Sequence, residues 1–159
     1  MHSVIFTSGY GYSKKLCEDV TSWFLNKYYP RHKIEVDIVH RGLKSESVLG
    51  YCDVIGKSYR PRQFLIELQS NMPKELYIKI LLHELTHLAQ WVDRSLRFTH
   101  GKMCYCEEPV ENYEYEDQPH EIAARDSEII LYDLYMSDKQ DVPVGQVAQG
   151  SFPNRLCAL

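Results

Sequence analysis

The chain has no apolar run approaching the length of a membrane span, which excludes a membrane-spanning helix. It has no basic excess either. Its 18 Lys and Arg stand against 22 Asp and Glu, a formal charge of −4, so no global positive field points to nucleic acid as a partner. The opening "MHSVIFTSGYGYSKKLCEDV" lacks the long apolar core of a signal peptide. The expectation is therefore a cytoplasmic protein, of a cell or of a virus replicating in a host cytoplasm. Five cysteines, Cys17, Cys52, Cys104, Cys106 and Cys157, make an odd set that argues against a closed disulfide framework. Without export they read as reduced thiols. Internal repeats are lacking as well. What is present is an ordinary globular composition, 44% hydrophobic and 25% charged, in 159 residues. That is enough for a single domain with a core and no need of covalent staples.

Hydrophobic spacing predicts an α+β order of helix, strands, helix, loop, helix. After a short apolar lead, Ser13 to Tyr29 carries Leu16, Val20, Trp23, Phe24 and Tyr28 at helical spacing, with Ser13 as cap and Pro30 as stop. "HKIEVDIVHRG" alternates Ile34, Val36 and Ile38 against charged neighbours, a strand with one dry face. "SVLGYCDVIG" gives a weaker strand signal, and "RQFLIELQS" a clearer one through Phe64, Ile66 and Leu68. A helix capped by Ser70 or Asn71, with Pro73 in its first turn, is expected to run to about Arg94. Residues 95–118 read as a long polar loop with room for a hairpin. "QPHEIAARDSEIILYDLYM", opened by Pro119, reads as a further helix. The domain is placed at residues 1–136, and residues 137–159 as an irregular tail.

Chemistry concentrates in "LLHELTHLAQW", residues Leu81 to Trp91. Shuffling this composition produces His-Glu-x-x-His in roughly one chain in forty, so the setting of the motif has to decide its meaning. On a helical projection Ile78, Leu81, Leu82, Leu85, Leu88, Ala89 and Val92 fall within an arc of about 120°, the side that packs on a core. His83 and His87 lie about 40° apart on the opposite side, beside Leu76, Ile80 and Trp91. That second face is half apolar and must be covered or line a cleft. Side chains at i and i+4 stack one turn apart, which lets two imidazoles reach one metal ion. Glu84 is rotated about 100° from His83, poised to take a proton from water rather than to ligate the same ion. The ordinary alternative is a core helix with two satisfied histidines; the agreement of two His, the Glu and the apolar frame favours metal.

A catalytic zinc site keeps three protein ligands and one open position. Glu121 in "QPHEIAARDSE" is one candidate for the third; its ordinary reading is a first-turn Glu favoured by the helix dipole and paired with Arg125. His100 in "FTHGKMC" is the other. A separate structural zinc held by His100, Cys104, Cys106 and Cys52 is a further possibility, although its Cys-x-Cys spacing is tighter than usual.

With these residues in view, the two helices resemble those of zincin metallopeptidases whose third ligand is a glutamate on a following helix. The chain is similar in particular to small phage and bacterial zincin-like proteins that combine HELxHxxQ with a Pro-x-Glu-x-x-Ala helix. The likeness covers roughly residues 63–134. It implies a zincin-like minimal α+β domain: an N-terminal helix, a small mixed sheet, an active-site helix and a following ligand helix. It also implies His83, His87 and Glu121 as zinc ligands and Glu84 as general base. One departure is Arg125, which stands where thermolysin-like enzymes carry an aspartate four residues after the ligand glutamate. "HGKMC" resembles the HGxxF segment of SprT-like proteases, in which the histidine is the third ligand, but Cys104 replaces the aromatic.

The function expected on these grounds is a zinc-dependent metallopeptidase, with Zn2+ as cofactor and a protein or peptide as substrate. Peptide bonds would be hydrolysed by Glu84-assisted attack of a zinc-bound water. The alternative is a non-catalytic, zinc-containing protein on the same scaffold, acting as a binding or regulatory module. Tyr113, Tyr115 or His100 could donate to the oxyanion. The strand Gln63 to Gln69 is expected to form the cleft edge, with the backbone of residues 64–68 pairing to substrate.

Overall fold

The computed structural model describes residues 2–140. It is an α+β structure of three helices and two small sheets. The order is β1 (Val4–Gly9), α1 (Lys14–Tyr28), β2 (Glu35–Arg41), β3 (Gly50–Val54), β4 (Gln63–Gln69), α2 (Lys74–Val92), β5 (Leu96–Thr99), β6 (Lys102–Tyr105), β7 (Glu108–Pro109) and α3 (Pro119–Gln140). No helix among the described residues is long and apolar enough to cross a membrane.

The larger sheet runs β1-β2-β4-β3, with β1, β2 and β4 parallel and β3 antiparallel at one edge. Register places Val36 opposite Phe64 and Ile38 opposite Ile66, so the alternating residues of β2 and β4 share one dry face. Val36, Ile38, Phe64, Ile66 and Leu68 are fully buried there against Val20 and Phe24 of α1 and the apolar stripe of α2. Every member of that stripe, Ile78 through Val92, is buried as its spacing predicts. Truncating a buried leucine of this kind to alanine costs about 2–5 kcal/mol.

Four expectations need correcting. The apolar lead is a strand, β1, which pairs with β2 and whose own burial does not alternate cleanly. Helix α2 has Pro73 at its N-cap with no side-chain cap; Ser70 instead donates to the Tyr10 carbonyl, and Asn71 sits at φ 60° in the left-handed region. Residues 137–140 continue α3 rather than begin a tail, and the remainder of that expected tail, 141–159, lies outside the described residues. Cys17, Cys52 and Cys104 are free thiols, whereas Cys106 is disulfide-bonded, so the reading of all five as thiols does not hold.

A buried histidine ties the two layers together. His40 of β2 is 1% exposed; its Nδ1–H donates to the Ser8 carbonyl at 2.9 Å, which leaves Nε2 to accept from the Tyr77 hydroxyl at 2.8 Å. Tyr12 stacks flat on the ring. Burial lowers the pKa of His40 and keeps it neutral, the Ser8 hydrogen bond opposing this only in part. An unfolded histidine takes up a proton near pH 6.5. The folded one resists until lower pH, so stability falls as pH drops through that range and is unaffected above it. Denaturant melts of wild type and His40→Gln at pH 7.5 and pH 5.5 test this. The wild type should lose more stability on acidification than the variant. At pH 7.5 the variant should be weaker by about 1–3 kcal/mol through its disrupted bond to Tyr77.

Candidate metal centre

Helix α2 runs through the middle of the structure, so its second face is covered too, by α3 and the β5–β6 hairpin. The stripe of α3 that meets it reads His120, Glu121, Ala124, Ser127, Leu131 and Tyr135, all buried. Residues seven apart on a helix lie within about 20° of each other. Glu121 and Glu128 therefore point the same way, and the small, fully buried Ala124 between them lets the helices approach closely.

The two carboxylates grip His83 from both sides. Glu121 Oε2 lies 3.2 Å from His83 Nε2, and Glu128 Oε2 lies 3.2 Å from His83 Nδ1. The other oxygen of Glu121 is 3.2 Å from His87 Nε2. His87 Nδ1 meets Gln90 Oε1 at 2.9 Å, while the Gln90 amide nitrogen donates to the His120 carbonyl at 3.0 Å. Because that amide is spent on a carbonyl, Gln90 offers His87 only an acceptor, and the proton of His87 belongs on Nδ1. A carboxylate does the same for His83. Both Nε2 atoms are thereby turned to the one space shared with Glu121, where they can donate a proton to its oxygens or, once deprotonated, ligate an ion.

Among the described residues, His83, His87 and Glu121 are the group of potential ligands that converges, with donor atoms all within 4.8 Å of one another. Ligands about 2.0–2.1 Å from an ion at tetrahedral angles stand roughly 3.3 Å apart. Glu121 Oε2 to His83 and Glu121 Oε1 to His87 are each close to that spacing, and the whole donor set lies within 4.8 Å, so the group could hold a divalent ion. Burial alone would depress both imidazoles, yet hydrogen bonds to Glu121, joined at His83 by Glu128, and the charge of Glu84 hold His83 and His87 above their ordinary values. Burial would also raise Glu121, but the two histidines outweigh it and hold its carboxyl far below the usual range. The pocket favours positive charge at these nitrogens, carried by protons or by a cation.

Glu84 is not in the ligand group. It is 5% exposed, and burial raises its pKa against the opposing pull of His87 and His83. A Cβ placed on Gly50 of β3 would stand 2.7 Å from Glu84 Oε1, so a side chain there would force that carboxylate to shift. Tyr115 lines the same cleft; desolvation, then the charges of Glu121 and Glu84, push its hydroxyl up to about 12.

Of the residues singled out in the sequence, His83, Glu84, His87 and Glu121 come together. His100 does not. It is exposed at φ 51° in the tip of the β5–β6 hairpin, and the set His100, Cys104, Cys106 and Cys52 forms no metal-binding group among the described residues. Arg125 turns away from Glu121 and donates to the Glu116 carbonyl, so the surface ion pair is not made. Tyr113 is engaged by Glu108. Glu128, Gln90, His120 and Gly50 carried no assigned role in the sequence. Glu128 was legible as the residue two turns after Glu121 on the same face; Gly50 was not, because its role is purely spatial. His120 Nδ1 is buried with no hydrogen-bond partner among the described residues, and its Nε2 is 3.6 Å from Glu121 Oε1.

No protein-family model matches the chain, and no curated protein or solved structure is similar to it.

Metal analysis after dialysis tests the ligand set. Alanine at His83, His87 or Glu121 should abolish retention of a divalent ion, whereas His100→Ala should retain it. Glu128→Ala and Gln90→Ala should weaken binding about 10- to 100-fold by releasing the outer imidazole nitrogens. Full retention in Glu121→Ala would exclude it as a ligand.

Proposed function

We propose that the protein is a zinc-dependent peptidase, with His83, His87 and Glu121 holding the ion and Glu84 acting as general base. The observation that carries this reading is the buried Glu84 carboxylate standing beside, and outside, a two-nitrogen, one-oxygen donor set directed at a single point. That donor set suits Zn2+, and three protein ligands leave a position open. A zinc ion held there supplies Lewis acidity, acidifying a water and polarising a carbonyl. Glu84 takes the proton of the attacking water and returns it to the departing amine. Tyr115, on the cleft wall, is the best-placed donor to the developing oxyanion.

A cleft of about 690 Å3 gives access to this point. Its lip is not the strand expected from sequence. β4 pairs with β2 on one side and β3 on the other, so its backbone groups are already used. The edge strand is β3, whose residues Gly50 to Val54 line the cleft, and an extended peptide laid along its free edge would pass across Glu84 and the metal ligands.

Zinc-loaded protein should cleave casein or a peptide library, and Glu84→Gln should abolish cleavage while keeping its zinc. Gly50→Ala should behave similarly, with kcat reduced at least about tenfold by displacement of the base and zinc content unchanged. Undiminished cleavage by Glu84→Gln would refute the mechanism. Zinc bound stoichiometrically with no cleavage of any peptide would instead identify a binding module on this scaffold.

A further inference from the structure

The cleft has two unlike walls. One is the edge of β3. The other begins one turn beyond His87, at Trp91, and is continued by the β5–β6 hairpin, where Leu96 and Phe98 share a face and Met103 pairs directly with Phe98. Leu96 and Trp91 are buried, but Phe98 leaves 53% of its surface exposed, its ring tilted over Trp91 with centroids 5.5 Å apart. An exposed aromatic lying on a buried one inside a concave cleft leaves apolar area for a ligand to cover.

The same cleft also carries a carboxylate that the metal centre does not use. Among the described residues no lysine or arginine lines it, and its lining includes the carboxylates of Asp53, Glu84 and Glu121 beside His87 and His120. Glu84 and Glu121 are committed to the metal centre. Asp53 is not: it is exposed on β3 and has no ion-pair partner among the described residues. It lies near enough to Glu84 for its charge to be felt there.

Resting on the peptidase reading, we infer that the substrate is a peptide segment carrying a large apolar side chain, seated on Trp91, Phe98 and Met103, next to a lysine or arginine that faces Asp53. Trp91 stands about 6 Å along the helix from His87. An extended peptide advances about 3.3 Å per residue. The apolar residue therefore falls within two positions of the bond that is cut. An acidic side chain is disfavoured at either place, by unpaired burial at the apolar wall or by repulsion from Asp53.

Zinc-loaded protein is assayed with fluorogenic peptides that vary one residue near the cut (Phe, Leu, Ala or Asp) and its neighbours (Lys or Glu). The expected kcat/KM ratio of Phe or Leu over Ala is at least about tenfold. Lysine neighbours should be favoured over glutamate by roughly two- to fivefold, more at low salt. Phe98→Ala, a change at an exposed position, should collapse the apolar ratio and keep the charge ratio; Asp53→Asn should do the reverse. Ratios that survive both substitutions overturn the inference, as does cleavage by wild type with no side-chain preference, which leaves the peptidase reading standing. If zinc-loaded wild type cleaves none of these peptides and Glu84→Gln binds none by fluorescence anisotropy, the peptidase reading fails and takes this inference with it.

Discussion

The clamp of Glu121 across the two Nε2 atoms of α2 is the contact on which the rest depends. A helix through the middle of a domain must bury every side of itself, and α2 does so with an apolar stripe against the sheet and α1. Its other side carries two imidazoles and a carboxylate. Burying such groups is expensive unless each polar atom has a partner. α3 supplies the partners for both imidazoles, with Glu121 toward the shared point and Glu128 behind His83. Slipping α3 by one residue would rotate both carboxylates about 100° away and strand the histidines, so the polar network fixes the register of the two helices as well as building the site.

The same network explains the sign of its electrostatics. Glu84, Glu121 and Glu128 surround two imidazoles in a space with little water. Burial and the charge of Glu121 raise the cost of ionising Glu84 unless positive charge is present. Protons on the histidines answer that demand in part, which is the origin of their raised pKa values. A divalent ion answers it more fully, since it concentrates two charges at the point where the donors converge. Protons and metal compete for the same nitrogens, and the outcome favours metal as pH rises. His120, neutral and pushed down to about 4 by burial and by the His87 charge, adds a polar neighbour without adding to the competition.

Much of this was legible in the sequence because it is periodic. α1 begins at the predicted Ser13 cap, whose hydroxyl accepts from Leu16 N–H, and β2, β4, α2 and α3 follow their hydrophobic spacing. The pairing of His83 with His87 is a property of one helix and so could be read from it. Glu121 was harder, because a first-turn glutamate followed by an arginine four residues later describes a solvent-facing ion pair equally well. Only tertiary placement turns that side chain inward. β1 was missed because a terminal strand at a sheet edge has no strict alternation to betray it. The cleft edge was misassigned because sequence order places β4 next to α2, whereas the sheet inserts β4 between β2 and β3 and leaves the weaker strand outside. Gly50 belongs to the same class of error: its fitness lies in the 2.7 Å that a side chain would have to share with Glu84.

The chain from Asp93 to Gln118 joins the end of α2 to the start of α3, so it connects the two elements that hold the donor set while contributing none of the donors. It supplies Leu96, Phe98, Met103 and Tyr115 to the cleft instead. The potential metal donors and the apolar wall of the cleft are therefore carried by different kinds of structure. The donors stand on long, buried helices locked together by paired polar groups, where a shift of an ångström is costly. The apolar wall stands on a short hairpin with an exposed tip, where side chains can change without unpairing anything buried. Side chains at Phe98 and Met103 can therefore change without moving Glu84, which is carried from the other side by α2 and lies against the backbone of Gly50.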